Sequence, residues 1–303
     1  MEINLDSKRT PFSLDYTLSC GQVFRWEKSE GWWYGVVGGE VIKLKQVDDQ
    51  TLEIQSTKTE SLASFIELYF RLDDDLPSIL KKIDRDKHIR RAIERLYGLR
   101  LIRQNPWECL ISFLCATYAN IPRIKRVIRN LSERFGYPID VDNRTFYSFP
   151  EPEDLSRVNV VELRKCGLGF RAKYVKRTAM RIYSGEVVLE ELKGLDYAEA
   201  KCCLRRLDGV GEKVADCVLL FSLEKLETFP VDVWMKRILL QLYPGYFTPG
   251  FIERVRARSS LTRKEYETIR SFACEYFGEY VGYAQEYLYY QARLNPKVLF
   301  CDD

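Results

Sequence analysis

The alternation of apolar and polar positions changes period once along the chain. Within residues 1–57, Val, Ile, Thr, Tyr, Trp and Phe alternate with polar residues in short runs at 22–26, 32–37, 41–45 and 52–56. Turn signals at Glu30-Gly31, Gly38-Gly39 and Asp48-Asp49 separate these runs, so this part predicts an antiparallel sheet. A helical segment is predicted at about 61–70, and Asp73-Asp74-Asp75-Leu-Pro then reads as a turn and helix cap. From Pro77 onward the period is helical. Helices are predicted at 78–97, 106–118, 121–135, 159–165, 172–184, 197–206, 212–223, 232–243, 263–277 and 280–293. Fold class is therefore α+β, with a small antiparallel sheet domain over 1–76 and a larger all-helical region over 77–303.

Composition narrows the chemistry. The chain has 303 residues, 46% hydrophobic and 30% charged, and no low-complexity tract, as an ordered globular protein requires. Its nine cysteines are scattered without a CxxC pair, and no signal peptide opens the chain, which points to a reducing, intracellular compartment and away from structural zinc or a local iron–sulfur loop. No apolar run approaches the roughly 20 residues of a membrane span. His88 is the single histidine, set in a charged stretch, so Ser/His/Asp, Cys/His and His-ligated metal chemistry are poorly supported. Catalysis would have to run on Lys, Asp, Glu, Cys or Tyr.

Net charge is only +3, but it is unevenly spread. Residues 48–75 carry two basic and eight acidic side chains, 121–135 carry five and one, and 162–181 carry seven and one. Two basic helices beside Gly-rich turns suit a phosphate backbone and make nucleic acid the leading partner.

The most informative run is Leu204-Arg-Arg-Leu-Asp-Gly209-Val-Gly211-Glu-Lys213-Val-Ala-Asp216-Cys217. It reads as a helix–hairpin–helix over about 197–223, in which both glycines permit positive φ and leave backbone N–H groups able to hold a phosphate. Lys213 falls in the first turn after the hairpin. Its apolar flank and the positive helix end both disfavour the ammonium form, which is how an amine becomes a nucleophile. Asp232 follows in Phe229-Pro-Val-Asp232-Val, at a predicted helix start where it would serve as an N-cap as well.

These residues closely resemble the helix–hairpin–helix/Gly-Pro-Asp superfamily of DNA glycosylases and, within it, the 8-oxoguanine DNA glycosylase/lyases. The resemblance runs through further blocks: Leu18-Ser-Cys-Gly21-Gln22-Val-Phe24-Arg25-Trp26, Asn105-Pro-Trp-Glu-Cys, Asn120-Ile-Pro-Arg123, Gly167-Leu-Gly-Phe170-Arg171 and Gly282-Tyr-Ala-Gln285-Glu-Tyr-Leu-Tyr289. It implies a TBP-like N-terminal sheet domain and a two-lobed helical body with the active site between the lobes. It also implies a bifunctional enzyme of base excision repair, acting as a monomer on double-stranded DNA with 8-oxoguanine opposite cytosine, inside the cell and on DNA, which in a prokaryote means the cytoplasm or nucleoid.

By the same resemblance Lys213 attacks C1′ and forms the Schiff base that eliminates the 3′-phosphate, while Asp232 stabilises the developing positive charge. The Gly21 carbonyl would accept the N7–H that distinguishes 8-oxoguanine from guanine. Gln285 would read the Watson–Crick edge, and Cys217 and Tyr289 would sandwich the purine. Arg123 and Arg171 would bind the orphaned cytosine, with Phe170 as a wedge and Gly209 and Gly211 on DNA phosphate. The carbonyls of Arg205, Leu207 and Val210 would hold a structural monovalent or calcium ion, leaving catalysis itself free of cofactors.

Three sites depart from the family pattern. Tyr289 replaces a phenylalanine. Tyr118-Ala119-Asn120 stands where the eukaryotic pattern has three asparagines, and a ring at Tyr118 stacks but cannot reproduce an amide's hydrogen bonds, which weakens the expectation of strict cytosine preference. Trp234 stands where a histidine lies near phosphate, and its indole donates one bond without charge. The alternatives are a relative acting on another oxidised base, such as formamidopyrimidine, and a non-catalytic helix–hairpin–helix DNA-binding protein. The second has no need for Lys213 with Asp232.

Overall fold

The computed structural model describes residues 1–6, 9–57 and 60–296; Cys301 lies outside them. It begins with β1 (Glu2–Asn4), α1 (Leu14–Ser19), β2 (Trp26–Ser29), β3 (Trp32–Val37), β4 (Glu40–Gln46), β5 (Thr51–Ser56) and α2 (Leu62–Tyr69). The five strands form one antiparallel sheet in the order β1-β5-β4-β3-β2. Two-residue turns set its register: Glu30-Gly31 and Gly38-Gly39 all have positive φ, the mirror-image turn that matches strand twist, and they pair Ser29 with Trp32 and Val37 with Glu40. One apolar cluster joins Leu14 and Leu18 of α1, Ile66 of α2 and strand residues such as Trp26, Ile42, Leu44 and Ile54. Ile102, far along the chain, completes it.

The helical body follows as α3 (Leu76–Ile83), α4 (Lys87–Arg95), α5 (Pro106–Ala116) and α6 (Ile121–Phe135), then a hairpin of β6 (Pro138–Val141) and β7 (Arg144–Tyr147). Next come α7 (Pro152–Arg157), α8 (Val160–Leu163), α9 (Ala172–Tyr183), α10 (Tyr197–Arg205), α11 (Glu212–Ser222), α12 (Val233–Leu242), α13 (Pro249–Arg256), α14 (Arg263–Phe277) and α15 (Val281–Leu294). Three helices are buried along most of their length: α5, α11 beyond its first turn, and the first two turns of α15. Rings on α5 and α11 stack where Phe113 meets Phe221, with centroids 5.5 Å apart. Among the described residues no helix is long and apolar enough to cross a membrane.

Several expectations are corrected. Residues 22–25 are not a strand: the Gln22 side chain turns inward, donates to the Thr17 and Arg100 carbonyls at 3.0 and 2.8 Å and accepts from Ile102 N at 2.8 Å. The single helix expected over 78–97 is two helices. Asp86 breaks it by capping α4 through the N–H groups of His88 and Ile89, and its other oxygen accepts from the hydroxyls of Tyr243 and Tyr276. The region beyond residue 77 is not wholly helical, because the β6–β7 hairpin closes on a two-residue turn with positive φ at Asp142 and Asn143. His88 lies edge-on to Tyr243 with centroids 5.7 Å apart, and burial lowers its pKa.

Candidate active site

The hairpin between α10 and α11 is closed by Val210 N donating to the Leu207 carbonyl at 3.2 Å. Its glycines do different jobs. Gly209 has φ +81, and a β-carbon there would lie 2.5 Å from the Tyr174 ring. Gly211 instead has φ −90, an ordinary extended N-cap with open space around it, so only Gly209 uses the positive φ that both glycines permit. Gly209→Ala combines left-handed backbone with overpacking and should destabilise by roughly 2–5 kcal/mol. Gly211→Ala should cost less than about 1 kcal/mol. Urea unfolding of the two variants measures the difference, and equal midpoints would refute this reading of the hairpin.

Lys213 lies in the first turn of α11, the end of that helix that is not fully buried. Its ammonium sits over the face of Phe113 at 4.8 Å from the centroid, held by the ring quadrupole. Asp232 caps α12, with its carboxylate accepting from Met235 N at 2.8 Å. Burial raises the Asp232 pKa; the N–H groups of Met235 and Trp234 and the positive charges of Lys213 and Arg293 oppose that rise. Amine and carboxyl thus act on each other electrostatically. Trp234 belongs to the cap of α12 through its N–H.

Other residues expected at the site lie on the segments around this pair. Gly21 has φ +112, and a β-carbon there would come within 3.0 Å of Arg293 Nη1 and 3.7 Å of the Tyr289 ring. Cys217 is buried one turn beyond Lys213, and burial pushes its thiol up to about 12, with Lys213 opposing and Asp232 adding to the shift. Gln285 is buried on α15, and its Oε1 is enclosed without a hydrogen-bond partner in the protein.

A second group lies on the loops that start α6 and α9. Tyr118 is 79% exposed with φ +54, a left-handed conformation costly for an aromatic residue, and Phe170 is 53% exposed. Arg171 is only 4% exposed and holds the two loops together. Its guanidinium donates to the Thr117 carbonyl, at 2.8 Å from Nε, and to the Leu168 carbonyl, and lies 4.8 Å from the Phe170 ring centroid. Arg123 is exposed, whereas Asn120 uses its side-chain oxygen to cap α6 through Arg123 N at 3.0 Å. Of the expected pair of base-binding guanidiniums, only Arg123 is solvent-facing; Arg171 acts first as a strut. The basic stretch 162–181 is also partly neutralised within the protein, with Arg177 on Asp208 at 3.0 Å, Arg181 on Glu186 at 2.6 Å and Lys165 on Glu162 at 2.6 Å.

Residues 4–110 match the family described as 8-oxoguanine DNA glycosylase, N-terminal domain, and residues 111–246 match the HhH-GPD superfamily of base excision DNA repair proteins. The N-glycosylase/DNA lyase OGG1 of Arabidopsis thaliana is 33% identical over 295 residues, spanning 92% of this chain and 77% of that protein. The chain belongs to the 8-oxoguanine DNA glycosylase/lyase family. The N-glycosylase/DNA lyase of Saccharomyces cerevisiae is 31% identical, over 93% of this chain and 83% of its own length. The 8-oxoguanine glycosylase/lyase of Clostridium acetobutylicum, solved with double-stranded DNA carrying cytosine opposite 8-oxoG, superposes with a TM-score of 0.84 at 35% identity, covering 94% of this chain and 93% of that one.

Within this family framework the structure adds residues that sequence reasoning missed. Arg293 donates to the Cys20 carbonyl at 2.8 Å and lies 5.5 Å from the Tyr289 ring centroid, joining the last helix to the Gly21 loop. Glu286 is buried beside Gln285, and burial pushes its carboxyl up to about 7 against the pull of Cys20 and Arg293. Two adjacent polar residues within the apolar run 281–288 were the available signal for this wall of the site.

Proposed function

We propose that this protein is a bifunctional 8-oxoguanine DNA glycosylase/AP lyase of base excision repair, acting on double-stranded DNA. The observation that carries the reading is the electrostatic interaction of the Lys213 amine with the Asp232 carboxyl, both of which also act on the Cys217 thiol, while Arg293, which acts on Asp232 too, lies against Gly21 and Tyr289. The target nucleotide leaves the stack, because C1′ and the base edges are out of reach in a duplex. The Lys213 ammonium gives up a proton, the freed lone pair forms a bond to C1′ as the C1′–N9 bond breaks, and the departing base takes up the proton. Ring opening gives a protonated Schiff base; loss of a C2′ proton then expels the 3′-phosphate. Asp232, as carboxylate, faces the positive charge that develops on the sugar.

The Gly21 carbonyl accepts the N7–H of 8-oxoguanine, Gln285 meets the Watson–Crick edge, and Cys217 and Tyr289 cover the two purine faces. Tyr118 and Phe170 enter the duplex, while Asn120, Arg123 and a released Arg171 serve the opposite strand. The N–H groups at Gly209 and Gly211, with Trp234, face phosphate. Neutral carbonyls are hard oxygen ligands, and the Leu207 carbonyl keeps a lone pair beyond its bond from Val210. The Arg205, Leu207 and Val210 carbonyls would therefore hold a monovalent or calcium ion that adds positive charge toward a phosphate.

Single-turnover excision of 8-oxoguanine opposite each of the four bases tests the assignment. Excision is expected to be fastest opposite cytosine, with rates opposite the other bases within about tenfold, since Tyr118 stacks without reading a hydrogen-bond pattern. Tyr118→Asn, which accepts the left-handed backbone more readily, should widen that spread. A duplex that binds yet loses no base opposite any partner would refute the proposed function.

A further inference from the structure

A buried polar cluster joins the two segments that carry the amine and the carboxyl. Asp216, fully buried on α11, accepts from the Tyr197 hydroxyl at 3.0 Å and the Tyr266 hydroxyl at 2.6 Å, and pairs with Lys201 Nζ at 3.0 Å. Lys201 is itself buried and also meets Glu212 at 3.0 Å and Glu267 at 3.3 Å. Tyr197 and Lys201 come from α10, Tyr266 and Glu267 from α14. Such a network carries a desolvation cost that apolar side chains would avoid, so its stabilising value alone does not account for it.

One member reaches further than the others. The Tyr266 hydroxyl also accepts the main-chain N–H of Val231 at 3.2 Å. Val231 immediately precedes Asp232, and Asp216 follows Lys213 by three residues on the same helix.

We propose that Tyr266 is a positioning residue for base excision: its hydroxyl ties the helix that carries Lys213 to the backbone that carries Asp232, and so sets the spacing of amine and carboxylate. The inference rests on the roles given to Lys213 and Asp232 above. Without the hydroxyl, Asp216 loses the shorter of its two phenol hydrogen bonds, the buried Val231 N–H is left unpaired, and residues 229–232 lose their tether to α11. Tyr197 supplies an internal comparison, because its hydroxyl bonds the same carboxylate from α10 while the hydrogen bond between Tyr266 and Val231 stays in place.

The test compares wild type, Tyr266→Phe, Tyr197→Phe and Lys213→Gln in single-turnover base release from a duplex with 8-oxoguanine opposite cytosine, together with DNA Kd and Tm. An ångström of misplacement is enough for large losses in rate, so Tyr266→Phe should release base about tenfold or more slowly than wild type, with Kd within about twofold. Tyr197→Phe should lose similar Tm yet keep a rate within about twofold of wild type. Wild-type rates in Tyr266→Phe would overturn the inference, as would rate losses in the two variants that simply follow their Tm. If Tyr266→Phe does not fold, Tyr266→His, whose shorter ring keeps polar atoms in the cluster but cannot reach both Asp216 and Val231 N, should restore folding with a rate between wild type and Lys213→Gln; a rate equal to wild type would again overturn it. A wild-type protein that releases no base removes the functional assignment and this inference with it, and that outcome is distinct from all the others.

Discussion

Lys213→Gln is expected to abolish strand cleavage and to slow base release by at least about a thousandfold, the scale on which loss of a covalent nucleophile acts. Glutamine occupies similar space, but the nitrogen lone pair of its amide is delocalised and forms no Schiff base. The fold should survive. The substitution removes the attraction between the ammonium and the Phe113 ring, an interaction of about 0.5–1 kcal/mol at a partly exposed position. Excision kinetics read after alkaline cleavage separate base release from lyase action, and Tm checks the fold. A variant that is folded and keeps base release within tenfold of wild type would remove Lys213 from the mechanism.

Asp232→Asn should lower base release by roughly 10²–10³, while changing stability by less than about 1 kcal/mol. The contrast follows from the two tasks of one side chain. As the cap of α12 it accepts the Met235 N–H, and asparagine caps about as well as aspartate. As the group facing a cationic sugar it must be charged, and asparagine is not. The pH dependence has a definite sign. Burial raises the Asp232 pKa above the ordinary carboxylate value, so acidification protonates it earlier than an exposed aspartate. Wild-type base release should therefore fall as pH drops through that raised value, and the acid limb should disappear in Asp232→Asn. Retention of the limb in the variant would assign it to another group, and a rate near wild type would reduce Asp232 to a cap.

Helix positions were legible wherever apolar periodicity met a side-chain cap. Asn105, Asn120, Thr262 and Asp232 each cap a helix within a residue or two of where the pattern placed its start. The placement of Lys213 in the first turn after a hairpin and of Asp232 at a helix start was legible because both are local features. The misses have local or tertiary causes that periodicity cannot see. Residues 22–26 carry a strand-like pattern, but Gln22 is buried as a clamp between α1 and residues 100–102, so alternation there reflects packing around a loop. The β6–β7 hairpin had a signal in Asp142-Asn143 between short alternating runs, overridden by the helical period around it. Arg171 shows the tertiary case: its type and place suit base recognition, yet nothing local indicates that its guanidinium is bonded to the Thr117 carbonyl 54 positions away. The Asp216 network was invisible for the same reason, since its members come from three helices.

In the proposed mechanism Lys213 is the amine that becomes covalently joined to damaged DNA. The most direct test is borohydride trapping on a duplex with 8-oxoguanine opposite cytosine, followed by mass mapping of the cross-linked peptide. The mechanism predicts an adduct on the peptide that contains Lys213, formed by wild type and absent in Lys213→Gln. Wild-type protein that binds the duplex without trapping, or an adduct on another lysine, would contradict it.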